Sequence, residues 1–206
     1  KEAEAKKPRS GWRRALQKVW TPPDPDLVDA GLRGEWMIAG IRLLIVLVIM
    51  ALPLHQFLRS PTEQGGQVVM WVAVAALAEA LVIYSAVMRS WGRGWIGFFS
   101  GMLDVSLVTL SLWLFLRLDR PLDAVNDLVI FPVYLLAIGA TSLRYDWRIS
   151  ILVGTTAILQ YFALVRYAVW GWDLDRPDLQ PVLSEQFSWV LQGGRLLLLA
   201  MATALA

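Results

Sequence analysis

The sequence predicts an all-α, polytopic membrane protein. We expect a bundle of six transmembrane helices, N-in/C-in, preceded by an amphipathic interfacial helix. Three observations predict it. Of the 206 residues, 57% are hydrophobic and only 17% charged, too few charges to coat a soluble domain of this size. Several apolar runs exceed about 18 residues, the length at which a spanning helix becomes the better reading than a buried core segment. The 11 tryptophans lie mostly near the ends of those runs, where amphipathic rings settle at head-group level.

Composition also excludes. With no cysteine there are no disulfides, thiolate ligands or thiol redox chemistry. The single histidine, His55, argues against a His-rich metal or haem site. No phosphate loop, Ser/His/Asp set, zinc spacing or dinucleotide fingerprint is present. No catalytic residue, metal, cofactor or nucleic-acid partner is therefore expected. The first residues lack the short apolar region and small-residue cleavage site of a signal peptide.

Residues 1–35 form a basic, polar N-terminal segment. Within it Trp12, Ala15, Leu16, Val19 and Trp20 recur at helical spacing, with Arg13, Arg14, Gln17 and Lys18 facing away. Such a helix suits the surface of an anionic cytoplasmic leaflet; the alternative is a disordered basic tail that only sets topology. Thr21-Pro22-Pro23-Asp24-Pro25 must end it, since proline removes a donor and restricts its predecessor.

Residues 36–206 form the membrane domain, with six apolar segments. They run over Trp36–Leu58, Gln67–Met88, Trp95–Leu116, Asp127–Leu143, Trp147–Trp170 and from Phe187 onward. The joins are short and rich in Gly, Pro, Asp and Arg, so neighbouring helices should be antiparallel. Orientation follows from Lys and Arg. An inside N-terminus gives the cytoplasmic face the eight basic residues of the first 35, with Arg89, Arg93, Arg144 and Arg148. The other face receives Arg59, Arg117, Arg120 and Arg176, among acidic residues such as Asp119, Asp123, Asp173, Asp178 and Glu185. An even number of spans returns the C-terminus inside. The last segment runs to Ala206 without a cap or basic cluster, and is expected to continue as the exit helix toward an output domain.

A short echo, Leu118-Asp119-Arg120-Pro121 and Leu174-Asp175-Arg176-Pro177, follows two odd-numbered segments. It reads as a shared helix stop or as the trace of a duplicated hairpin.

Ionisable groups deep in lipid are costly unless paired, hydrated or snorkelling. Glu79 and Asp104 lie about nine residues from the inner ends of their helices, roughly 13 Å deep at about 1.5 Å per residue. Arg42 lies slightly closer to the cytoplasm, Arg195 near the middle of the sixth segment, and His55 in the outer third of the first, beside Pro53. These charges suggest one buried network joining helices one, two, three and six. Three readings remain open: a network that fixes helix packing, a pocket where Arg195 or Arg42 meets an anionic head group, and a proton- or ion-responsive site. Gln160 and Tyr161 either line the same cavity or make helix–helix hydrogen bonds. Small residues at Gly97, Ser100 and Gly101, at Gly139, Ala140 and Ser142, and at Gly193-Gly194 offer tight seams or a bend. The outer loop 171–186, flanked by Trp170, Trp172 and Trp189, either covers a pocket mouth or carries ordinary belt residues.

The stretches Met102-Leu103-Asp104-Val105-Ser106-Leu107-Val108, Asn126–Leu135 and Thr141–Asp146, followed by Gln160-Tyr161 and Phe187-Ser188-Trp189, resemble the six-helix N-terminal membrane domain of bacterial GGDEF diguanylate cyclases. Pro132 stands where an acidic residue is expected, so no ligand role is carried over to it. The resemblance implies a homodimeric sensor in the bacterial inner membrane whose sixth helix controls a cytoplasmic cyclase that makes c-di-GMP. Its expected partners are a second copy, membrane lipids and a small hydrophobic or anionic ligand in the bundle. Comparable six-helix anchors precede class III adenylyl cyclases and histidine kinases, and a small self-contained transporter is the competing class.

Overall fold

A computed structural model describes residues 25–60, 64–89, 95–128, 130–144, 146–175 and 187–206 of the chain. All regular structure among the described residues is helical. The helices are α1 (Pro25–Arg59), α2 (Gln64–Met88), α3 (Ile96–Arg117), α4 (Pro121–Asn126), α5 (Phe131–Thr141), α6 (Trp147–Trp172) and α7 (Trp189–Leu205), with a 3-10 turn at Ser142–Arg144 after α5. Five stretches are long and apolar enough to cross a membrane: Arg33–Arg59, Val69–Met88, Ile96–Arg117, Pro121–Arg144 and Trp147–Trp172. α7 has 17 residues, about 26 Å of helix, and falls below that length. The expected interfacial helix over 12–20 lies outside the described residues, as do Arg93, Arg176 and residues 176–186 of the outer loop.

Local chemistry sets the ends of these helices. α3 stops where Asp119 takes the left-handed conformation, φ 55°, a region Asp tolerates better than most residues. Arg120 N–H then bonds the Phe115 carbonyl at 3.0 Å and Asp119 N–H that of Leu116 at 3.2 Å, the paired closure of a Schellman ending. Pro121 follows at the first turn of α4, where a missing N–H costs nothing. α6 begins behind Asp146, whose carboxylate accepts from Arg148 N–H at 3.0 Å, and α7 behind Ser188, whose hydroxyl accepts from Leu191 N–H at 3.4 Å; both satisfy orphan donors of a first turn. α6 also ends on a left-handed Asp, but it is Asp173, φ 47°. That position precedes Leu174, so the two left-handed Asp residues are out of register with the sequence echo.

The fourth apolar segment departs most from expectation. It begins at Pro121 rather than Asp127 and is broken between α4 and α5. Asp127 sits at the break: its backbone leaves helical values and its carboxylate accepts from Ile130 N–H, re-entering the chain into α5, where Pro132 occupies the first turn.

Packing divides the helices into a body and a hairpin. The body is α3 to α7, whose buried core includes Val105, Leu112 and Leu116 of α3, Tyr134 and Ile138 of α5, Val153, Ala157 and Tyr161 of α6, and Leu199 of α7. α6 and α7 approach so closely that a methyl group on Gly154 would fall on Thr203. The α1–α2 hairpin has its own small cluster, Ala39 with Ile83 and Val87, and buries least: 17% of the α2 span is buried against 39% of the α6 span. It docks on the body near one end. There Gly34 lies directly on the Leu143 carbonyl, and Gly97 faces the Glu35 carboxylate. Gly97, Ser100 and Gly101 thus form a tight seam. Gly139, Gly193 and Gly194 do not, since nothing lies within 4 Å of where their side chains would begin.

Candidate functional site

The polar residues expected in one network fall into two clusters on different faces of the bundle. Depth along a helix had grouped them; rotation about each helix axis separates them.

The first cluster lies where the hairpin meets the body. Arg42 of α1 pairs with Asp104 of α3, and both are largely buried. Beside them, Arg144 of the 3-10 turn is held by Glu35 of α1, Nε to Oε1 2.8 Å, and donates from Nη2 to Ser100 Oγ at 2.7 Å. Glu79 of α2 feels both Asp104 and Arg42, yet its Oε1 is buried without a hydrogen-bond donor among the described residues. Glu35 and Arg144 are site residues the sequence did not single out. Arg144 reads there as a topology-setting charge, because it stands at the end of an apolar run. The small-residue face of α3, which lets that guanidinium in, was the available signal.

A cleft of about 770 Å³ runs from this cluster between the hairpin and α3 and α5. Its walls are mostly aliphatic, with Ile45, Val72, Leu107 and Val133 among them. Arg42, Glu79 and Asp104 line one part, and Asp127 at the α4–α5 break lines another. Arg195, Gln160, Tyr161 and His55 do not line it. His55 sits on the exposed face of α1 and joins neither cluster.

The second cluster fills the body beside the broken segment. A helix that breaks inside a bilayer frees carbonyls that protein groups must satisfy. Here α7 supplies them. Arg195 donates from Nη1 to the Val125 carbonyl and from Nη2 to that of Asp127 at 3.2 Å. One turn earlier, Gln192 donates from Nε2 to the Val125 carbonyl at 3.1 Å. Tyr161 links the pair: its hydroxyl donates to Gln192 Oε1 at 2.5 Å and accepts from Arg195 Nη1 at 3.1 Å. The guanidinium also stacks on Phe131, 4.8 Å from the ring centre, within range of a cation–π attraction. Behind it, Tyr134 and Gln160 share the hydroxyl of Thr109, each at 2.7 Å, and Gln160 Nε2 reaches Ser106 Oγ at 3.1 Å. Gln160 therefore makes helix–helix hydrogen bonds in the body. Gln192 is a further member the sequence reading passed over, although two polar residues at i and i+3 in an apolar helix share a face.

The two clusters give the guanidiniums different tasks. Arg42 is neutralised by Asp104, whereas Arg195 serves as a clamp on main-chain oxygens. An anionic head group at either would have to displace a partner already in place.

Fold and site together define an all-helical protein with several helices able to cross a membrane, a polar clamp on a broken helix, and an aliphatic cleft with a charged margin. No family model, curated protein or solved structure matches the chain.

Proposed function

We propose that the chain is the membrane-embedded signal-input and dimerisation domain of a bacterial signalling protein, with α7 carrying the signal to a cytoplasmic nucleotide cyclase of the diguanylate cyclase type. In this reading the chain crosses the inner membrane six times with both ends in the cytoplasm, residues 12–20 lie on the inner leaflet, and two copies associate. The excess of Lys and Arg on one side supports the orientation.

One observation carries the reading: α7 is bonded through Arg195 and Gln192 to the carbonyls freed at the α4–α5 break. Asp127, at that same break, lines the cleft. A change in cleft occupancy that alters the break alters the hydrogen-bond partners of α7, so the two ends of the coupling share one element. A ligand shifts such an equilibrium only by its differential affinity for the two arrangements.

The test is c-di-GMP synthesis by the full-length protein in native membranes, with Arg195→Ala compared with wild type. Regulation lost with insertion preserved is expected. Absence of cyclase activity in wild type, or regulation unchanged in Arg195→Ala, would reject the proposal.

A self-contained transporter is favoured by the broken fourth segment, since transporters often bind substrate at discontinuous helices. Against it, the freed carbonyls are already occupied by Arg195 and Gln192. Substrate-dependent uptake into vesicles containing the chain alone would reverse that preference.

A further inference from the structure

We propose that the cleft binds a single-chain amphiphile with a cationic, hydrogen-bond-donating head, a long-chain primary amine, seated with its head on Glu79. The inference rests on the signal-input reading for its consequence, but not for the binding itself.

Charge decides the head group. The cleft is lined by Glu79, Asp104 and Asp127 with Arg42, and the Glu35–Arg144 pair lies beside it, four carboxyl groups against two guanidiniums. Each guanidinium has a carboxylate partner: Arg42 has Asp104, and Arg144 has Glu35. Asp127 accepts from Ile130 N–H. The carboxyl left over is Glu79, with a buried oxygen that meets no donor among the described residues. A buried acceptor without a donor is costly, and the cost is higher where low dielectric strengthens every unmet charge. A primary ammonium supplies three donors and the missing positive charge together. A carboxylate or phosphate head would add a further acidic group to that set and offer Glu79 no donor, so the cationic head is favoured here over the anionic one of the pocket reading.

Shape decides the tail. From Asp104 to Phe115, both lining residues, α3 advances about 17 Å at about 1.5 Å per residue. The α3 residues that line that path are mostly apolar, Leu107, Val108, Leu114 and Phe115, with Ser111 among them. A mostly apolar cleft that follows α3 over this distance suits one extended alkyl chain better than a compact polar solute.

The experiment uses the whole chain in phosphatidylcholine nanodiscs and dodecylamine carrying a photoreactive diazirine in its chain. Crosslinks are mapped by mass spectrometry and competed with unlabelled dodecylamine, dodecyltrimethylammonium, dodecanol and dodecanoate. The expected result is labelling of the α1, α2 and α3 walls, competed best by dodecylamine and least by dodecanoate. Dodecyltrimethylammonium, which has the charge but no N–H, should compete less well than the primary amine. Glu79→Gln should weaken competition about tenfold, the scale of a lost charge-assisted hydrogen bond. Ala76→Trp keeps the carboxyl but fills the cleft, and should abolish wall labelling.

Equal competition by all four probes would mean that ordinary lipid chains fill the cleft, and would overturn the proposal. So would dodecanoate competing best, or Glu79→Gln binding as wild type. The signalling readout is separate. Labelling that depends on Glu79 without effect on cyclase output defeats the signal-input reading and leaves this site standing; regulated output without such labelling defeats the site alone.

Discussion

The guanidinium of Arg195 donates to the main-chain carbonyl of Val125, 70 residues earlier in the chain, and so fastens α7 to the end of α4. The contact is buried, with Arg195 only 5% exposed. It solves a problem that the break between α4 and α5 creates, because carbonyls released from a helix in an apolar medium have no water to turn to. Asp127 O and Val125 O are spanned by one planar fork, which a lysine cannot reproduce.

Arg195→Ala should therefore destabilise the protein by about 1–3 kcal/mol, the cost of removing one partner of a buried hydrogen bond. Gln192 still reaches the Val125 carbonyl at 3.1 Å, so the group wholly abandoned by α7 is the Asp127 carbonyl. Arg195→Lys should fall between, meeting one carbonyl but losing the fork and the stacking on Phe131. Reversible unfolding in detergent micelles measures the series. Equal stability of all three proteins would show that the clamp contributes nothing.

Two glycines give opposite predictions. A methyl group on Gly34 would overlap the Leu143 carbonyl, which is main chain and cannot swing aside; Gly34→Ala should cost about 1–3 kcal/mol as an overpacked contact. Gly139 has nothing within 4 Å of the same position and lies inside α5. Gly139→Ala should be neutral or stabilise by about 0.5–1 kcal/mol through the better helix propensity of alanine. Melting curves of the two variants check the pair, and a melting point lowered more by Gly139→Ala would contradict the packing.

The absence of cysteine makes the chain its own background for topology mapping. Arg89 follows α2 and Asp123 lies in α4, and both side chains are exposed. With the proposed orientation, Arg89→Cys in intact cells should resist a membrane-impermeant maleimide until the membrane is opened, while Asp123→Cys should react at once. The reverse pattern would invert the protein and remove the cytoplasmic route for α7.

Much of this architecture was legible because hydropathy and rise per residue are one-dimensional. The second, third and fifth segments, read as 67–88, 95–116 and 147–170, correspond to helices Gln64–Met88, Ile96–Arg117 and Trp147–Trp172. Counting residues also brought Arg42, Glu79 and Asp104 to one depth, where the structure has them together. What counting could not supply was rotation. Arg195 lies within a similar apolar run, but its side chain faces α4 and Tyr161 rather than Asp104. The break at Asp127 escaped for a related reason: its polar groups are satisfied by Gln192 and Arg195, 65 or more residues away, and no local pattern encodes that. Glycines were equally ambiguous, since Gly97 and Gly139 look alike in sequence and only a neighbour's backbone or side chain tells them apart.

The Arg42–Asp104 pair gives the last prediction, because its energy depends on which partner is removed. Both side chains are largely buried, 7% and 19% exposed, and Glu79 stands close by without a donor of its own among the described residues. Arg42→Met leaves Asp104 and Glu79 as neighbouring carboxyl groups with their nearest cation gone, and should cost about 3–5 kcal/mol, as breaking a buried pair from one side does. Asp104→Leu leaves Arg42 in place with Glu79 still near, so the guanidinium has a second acidic group within its field; that variant should lose less. The double variant Arg42→Met/Asp104→Leu removes both charges and keeps the volume, and should recover to within about 1–2 kcal/mol of wild type. A double-mutant cycle in one detergent isolates the coupling. Additive losses would mean that the two side chains act independently, whereas a smaller penalty for Asp104→Leu than for Arg42→Met identifies Glu79 as the alternative partner of Arg42.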